Sequence, residues 1–195
     1  EASATPDFQA VMKRVHHAIE TIAPHDSRER YTSLGVDCVE GEATITSPYH
    51  VKVNDEVITT RHIVIATGAR PFVPDIPGIE ETGYCTSDTV WNLKDLPKQL
   101  LVAGGGPIGC ELAQAFSRLG SEVTIVQRGD RLLPREDPEV SAAIEQYFGD
   151  EGIRVLTAHD LVNFKNSDGR SDGSKTAVAR HENKEVEIPF TQVLI

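Results

Sequence analysis

The stretch LLVAGGGPIGCELAQAF, residues 100–116, joins an apolar run to a helix-forming run through G-x-G-x-x-G, and no other part of the sequence restricts the fold so tightly. Strand, glycine turn and helix in that order open a βαβ unit that binds a dinucleotide. Gly104 permits the tight turn, Gly106 removes the side chain that would obstruct a pyrophosphate, and Gly109 lets the helix lie close on the strand. The helix N-terminus, with unpaired N–H groups and the positive end of its dipole, favours an anion, and Pro107 suits the first helical turn. Ile108, Leu112, Phe116 and Leu119 recur at helical spacing, which predicts one apolar face packed on a sheet. Gly120 stops the helix, and the β-rich run Glu122–Val126 completes the unit.

The charge balance narrows the partners. With a formal net charge of −11 over 195 residues, the chain lacks the basic surface that nucleic acid or an anionic membrane requires. No apolar run approaches the length of a membrane span, and no signal peptide is visible. The three cysteines, Cys38, Cys85 and Cys110, form no C-x-x-C pair. No metal site is expected, and Cys38 and Cys110 are read as small buried hydrophobes in a reduced, cytoplasmic compartment. The sequence starts at Glu1 rather than Met, as a processed or excised piece would.

Before the motif, Thr5-Pro6-Asp7 is expected to cap a helix whose apolar face carries Phe8, Val11, Met12, Val15, Ile19 and Ile22 and which ends near Pro24. His16 and His17 lie on it without the second pair a metal would need. Val36, Cys38 and Val39 suggest a short buried strand. Ala43–Thr46, His50–Val53 and Glu56–Thr59 then alternate as an antiparallel meander. His62–Gly68 predicts a buried strand ending in small residues, Ala66-Thr67-Gly68, that admit a ligand. The prolines at 71, 74 and 77 make a stiff connection, which places a domain boundary there: residues 1–78 and 79–195. A short capped helix is expected over 87–93.

After the motif, Asp137-Pro138 opens a helix with the apolar stripe Val140, Ile144, Tyr147 and Phe148, followed by a strand over 153–156. Leu161–Phe164, Thr176–Arg180 and Glu185–Ile188 suggest a second meander around a turn region at 166–174. Gln192–Ile195 suggests a last core strand. The fold class is α/β: a Rossmann-like, FAD/NAD(P)-binding three-layer fold with β-meanders and nested nucleotide-binding domains.

These motifs resemble the pyridine nucleotide–disulfide oxidoreductases, flavoproteins that include mercuric reductase, dihydrolipoamide dehydrogenase and glutathione reductase. The resemblance covers almost the whole chain. It implies that Ala66, Thr67 and Gly68 close an FAD domain and that Gly41, Glu42 and Ala43 run past the adenine of FAD. It also implies a nicotinamide-cofactor site at Gly104, Gly106, Ile108, Gly109 and Glu111, with Glu111 positioning the nicotinamide ring. Glu111-Leu112-Ala113-Gln114-Ala115-Phe116 and Arg135-Glu136-Asp137-Pro138 are most similar to mercuric reductase-like members. The family's first flavin G-x-G-x-x-G, redox cysteine pair and dimerisation domain are absent from this sequence. It is therefore expected to be the middle of a longer, homodimeric enzyme, with no catalytic residue of its own and no turnover of a disulfide or Hg(II) substrate by itself. Its first half, left with uncovered apolar faces, is expected to associate or to be disordered.

Where an NAD site usually carries a carboxylate at the end of the second strand, this sequence has Gln127, followed by Arg128 and Arg131. Guanidinium groups there suit the 2′-phosphate of NADP, although arginines in a polar loop are also simply solvated; NADP is the expected cofactor beside FAD, with NAD as the alternative. Glu111 has a second role open to it as a carboxylate in the first turn of a helix. In the whole enzyme the resemblance implies hydride transfer from NAD(P)H to FAD and then to a cysteine pair. The alternatives are a dinucleotide-binding module without redox chemistry and a flavin reductase without a dithiol.

Overall fold

The computed structural model describes residues 6–166 and 173–195, and part of the expected turn at 166–174 lies outside them. Two compact units emerge: residues up to Arg14 with Pro71–Ile195, and Val15–Arg70.

Helix α1 spans Phe8–Ile22 and begins both units. Its cap is Asp7, whose Oδ1 accepts the Ala10 N–H at 3.1 Å, so Pro6 precedes the helix instead of lying in its first turn. Phe8 and Met12 are buried, whereas Ile19 and Ile22 are exposed. A short helix α2, Arg28–Ser33, follows, capped by Ser27. The first meander forms as the alternation requires: β1 (Ala43–Ser47), β2 (His50–Val53) and β3 (Glu56–Thr59) pair antiparallel in sequence order. Asn54, with φ 54°, takes the left-handed position of the β2–β3 turn.

Two strand expectations in this unit fail. Neither Val36–Val39 nor His62–Gly68 pairs with any strand among the described residues, and Val64 and Ile65 are 87% and 71% exposed. β-rich sequence makes a strand only where a neighbour accepts from its N–H groups and donates to its C=O groups, and the described residues supply none. Cys38 is accordingly half-buried, not buried.

The larger unit is built on a parallel sheet. After the short helix α3 (Ile79–Thr82) and a 3-10 turn at Val90–Asn92, in place of the capped helix expected there, come β4 (Gln99–Ala103), α4 (Pro107–Leu119) and β5 (Glu122–Val126). Next come α5 (Pro138–Asp150), β6 (Arg154–Leu156) and the antiparallel strands β7 (Asp160–Asn166), β8 (Lys175–His181) and β9 (Lys184–Phe190). Strand β10 (Gln192–Leu194) then returns beside β4, which gives the parallel order β10-β4-β5-β6.

Period-two burial along β4 creates three layers. Leu100 and Val102 join Ile125, Ala113, Phe116 and Phe148 on the helix side, while Leu101 joins Val193, Phe164, Ile188 and Phe190 against the meander. Gly120, at φ 112°, ends α4 as expected, its N–H returning to the Phe116 and Ser117 carbonyls. The stripe on α5 is rotated from the expected one, because Val140 and Tyr147 are exposed and Ser141 is buried. Ser141 Oγ donates to the Leu132 carbonyl at 2.6 Å and Glu145 Oε1 accepts the Leu132 N–H at 3.0 Å, so polar residues of α5 hold the loop that follows β5.

Candidate functional site

In an open parallel sheet, ligands bind beyond the carboxyl ends of the strands where the strand order reverses. Here the reversal is at β4: α4 leads to β5 on one side, and β10 lies on the other. The glycine loop leaves β4 at that point. Its backbone is fixed by Gly104 N–H to the Val126 carbonyl (2.8 Å), Leu133 N–H to the Gly105 carbonyl (2.8 Å) and Gly105 N–H to Gln127 Oε1 (2.9 Å).

The loop glycines differ in what they exclude. A Cβ on Gly109 would lie 2.3 Å from the Gly104 carbonyl oxygen, so this glycine sets the approach of α4 to the turn. A Cβ on Gly106 meets nothing within 4 Å; the space beyond it is open to a ligand. Gly104 sits at φ 113°. Gly105, which the motif treats as variable, is also crowded, though by side chains: its Cβ would fall 2.4 Å from Leu132 Cδ2 and 3.3 Å from Gln127 Cβ.

Around this loop runs a cleft with two lobes, of about 300 Å3 and about 640 Å3, which share Phe72, Ala103, Gly104 and Ile195. That is the size range of small-molecule sites. Gly106, Ile108 and Gly109 line the smaller lobe, and Gln127, Arg128 and His159 the larger. Ile108 is 57% exposed and therefore does not belong to the packed face of α4, which is instead Cys110, Ala113 and Phe116. The small side chain of Ala113 lets the helix lie close to the sheet where a larger residue would hold it off.

Two of the expected residues stand apart from this cleft. Glu111 is exposed and lines a separate groove of about 340 Å3 with Leu133, Glu136 and Ile144. Arg131 donates from Nη2 to the Pro134 carbonyl at 3.0 Å, and its Nε is buried with no partner among the described residues. The six residues assigned to FAD belong to the smaller unit or its edge and are exposed. Gly41, at φ 155°, is crowded by Asn54, whose Oδ1 would lie 2.5 Å from an added Cβ and whose Nδ2 donates to the Glu40 carbonyl at 2.9 Å. Gly68 has φ 69° in the unpaired Ala66-Thr67-Gly68 segment.

Residues 5–195 match the family of pyridine nucleotide-disulphide oxidoreductases. The chain belongs to that family. Among members, it is 42% identical over 134 residues to mercuric reductase of Staphylococcus aureus, a match covering 67% of this chain and 24% of the relative. It is 39% identical over 136 residues to dihydrolipoyl dehydrogenase of Mycoplasma genitalium, covering 68% of this chain and 30% of the relative. In structure it superposes on the HOCl-induced flavoprotein disulfide reductase RclA of Escherichia coli with a TM-score of 0.78 at 27% identity, covering 98% of this chain and 42% of that one. The chain thus spans well under half the length of these family members.

Two of the three thiols, Cys85 and Cys110, are buried. Desolvation pushes the pKa of Cys85 to about 11 against a smaller lowering by the Gln192 side chain; its Sγ donates to the Val193 carbonyl at 3.3 Å. Cys110 is pushed to about 11 by burial and then by the charges of Glu111 and Glu145, and its Sγ donates to the Gly105 carbonyl at 3.6 Å. At neutral pH a thiol with so high a pKa is almost wholly protonated and a poor nucleophile. At pH 8 a thiol reagent should therefore label Cys38 quickly in the folded chain, and all three cysteines only after unfolding; rapid labelling of Cys85 or Cys110 would contradict their burial. Among the described residues no cluster of His, Cys, Asp and Glu is arranged to hold a metal, and no helix is long and apolar enough to cross a membrane.

Proposed function

We propose that this chain is the nicotinamide-nucleotide-binding portion, joined to part of an FAD-binding portion, of an FAD-dependent oxidoreductase that reduces a disulfide or a metal ion, of the mercuric reductase-like or dihydrolipoamide dehydrogenase-like type. The observation that carries the reading is the glycine loop at the strand-order reversal, where Gly109 admits no Cβ and Gly106 opens on the cleft. Family membership and the names of the relatives support the whole activity. When bound, NAD(P)H would supply hydride chemistry and FAD two-electron redox chemistry toward a cysteine pair that this sequence does not contain.

The chain's own work is binding and orientation. The first turn of α4 presents N–H groups that no helical carbonyl can take, and these receive the pyrophosphate. Ile108 gives the smaller lobe an apolar wall. Glu111 orients the nicotinamide from the neighbouring groove. Gly41, Glu42 and Ala43, with Ala66, Thr67 and Gly68, supply an exposed wall for FAD, and the positive φ of Gly41 and Gly68 lets bare backbone meet the flavin nucleotide. The division proposed with this reading is 1–78 for FAD and 79–195 for the nicotinamide cofactor, whereas the compact units divide at Arg14 and Pro71.

NADP is the preferred cofactor. Gln127 leaves no carboxylate to repel a 2′-phosphate, Arg128 lines the larger lobe, and Arg131 adds a second cation to the same loop. Charge-assisted hydrogen bonds of this kind are worth about 1.5–3 kcal/mol. Replacing Arg128 and Arg131 together by alanine should weaken NADPH by at least about tenfold and NADH far less, as read by cofactor fluorescence titration. Equal weakening of both would count against the assignment.

A further inference from the structure

The wall of the larger lobe beyond Gln127 and Arg128 is made by a turn at residues 157–160 that neither the glycine motif nor the flavin-related segments explain. Ala158 holds φ at 54°, a left-handed backbone that a side chain disfavours. Such strain persists only where surrounding structure enforces it, and it gathers at functional sites. The enforcement is visible: Ala158 N–H donates to the Gly129 carbonyl at 2.7 Å and His159 N–H to the Gln127 carbonyl at 3.1 Å. The turn is thereby bolted to the residues on either side of Arg128.

This turn delivers His159 to the cleft. Behind it stands His181 at the end of β8, its ring 5.0 Å away and inclined by 26°. Each Nδ1 lies 2.6 Å from a backbone carbonyl oxygen, that of Thr157 for His159 and that of Ala158 for His181. A carbonyl only accepts, so each Nδ1 carries a proton and Nε2 is the ring nitrogen that remains to take one. In a chain of net charge −11, His159 and Arg128 both line this lobe, with Asp160 the one acidic side chain among its lining residues.

We propose that His159, backed by His181, is a specificity-determining residue of the cleft, its Nε2 acting with Arg128 on the adenosine 2′-phosphate that distinguishes NADP(H) from NAD(H). The inference rests on the reading of the cleft as a nicotinamide-nucleotide site. It adds a residue from the far side of the sheet edge, after β6, to those that follow β5.

The test uses the full chain and two probes, 2′,5′-ADP and 5′-AMP, titrated by calorimetry. The wild-type chain should bind 2′,5′-ADP the more tightly. His159→Ala should weaken 2′,5′-ADP about tenfold and leave 5′-AMP within about twofold. His159→Asn keeps a donor for the Thr157 carbonyl and so preserves the turn; it should lose discrimination as the alanine variant does. His181→Ala, which removes only the ring behind, should give the same pattern at smaller size. If the wild-type chain discriminates and His159→Asn still does so fully, or weakens both probes alike, His159 is not the 2′-phosphate contact and the nucleotide site stands without it. A wild-type chain that binds neither probe overturns both the inference and the site it rests on.

Discussion

A Gly109→Val chain should bind NADPH on the order of a hundredfold more weakly than the wild type, a loss of ~2.7 kcal/mol. The first added carbon already lies 2.3 Å from the Gly104 carbonyl oxygen and 3.3 Å from Val102 Cγ1. Neither is the free end of a flexible side chain: one belongs to the turn itself, the other to a strand residue that is 1% exposed. Relief therefore requires α4 to move off β4, which carries its first-turn N–H groups away from the Gly106 opening. Overpacking of this kind also costs about 1–3 kcal/mol of stability. The control is Gly149→Ala in α5, where a Cβ meets nothing within 4 Å. Alanine there should stabilise the helix by roughly 0.5–1 kcal/mol and leave NADPH binding unchanged. Fluorescence titration beside thermal unfolding separates the two quantities, and full affinity in a folded Gly109→Val chain would show that the loop does not hold the cofactor.

The larger loss of stability is expected from Phe190→Ala, about 3–5 kcal/mol. Phe190 has no exposed surface. Its ring meets Phe164 edge-on at 5.7 Å and 88°, and Lys175 Nζ lies 6.0 Å from its centroid. It also belongs to the cluster that contains Leu101 and Val193, so it joins the meander to the sheet from which the glycine loop departs. Since whole domains are stable by only about 5–15 kcal/mol, truncation here removes a large share. Urea unfolding measures it. A cost below about 1 kcal/mol would mean that the meander layer closes over the cavity with little loss of packing.

The parallel unit and both meanders were legible in the sequence because their signals are local: a strand, glycines and helix in series, and short alternating runs separated by turns. The stretches over 36–39 and 62–68 misled because a strand is defined by its partner, and apolar, β-branched composition says nothing of whether one is present. The stripe on α5 misled for a different reason. Ser141 and Glu145 are polar, yet they face inward because the Leu132 backbone needs an acceptor and a donor there. Ile108 fits the helical period but lies at a helix start, where the face is given over to the cleft. At the site, the motif announced Gly104, Gly106 and Gly109 directly. Gly105 became significant only through Leu132 and Gln127, and His159 only through a turn many residues away that bends back to Gln127 and Gly129. Such contacts are made by tertiary folding and leave no spacing to read.

Gln127 occupies the proposed cofactor-discriminating position and also braces the glycine loop, through Oε1 on the Gly105 N–H. Of the replacements that bring in a carboxylate, glutamate alone has the same length and keeps an oxygen there, and glutamine and glutamate codons differ by one base. Under the proposed NADP assignment, a lineage carrying this loop therefore has one short mutational step toward NAD that leaves the turn standing, whereas drift to an apolar residue at the same position would unfasten the turn before any new preference could be selected.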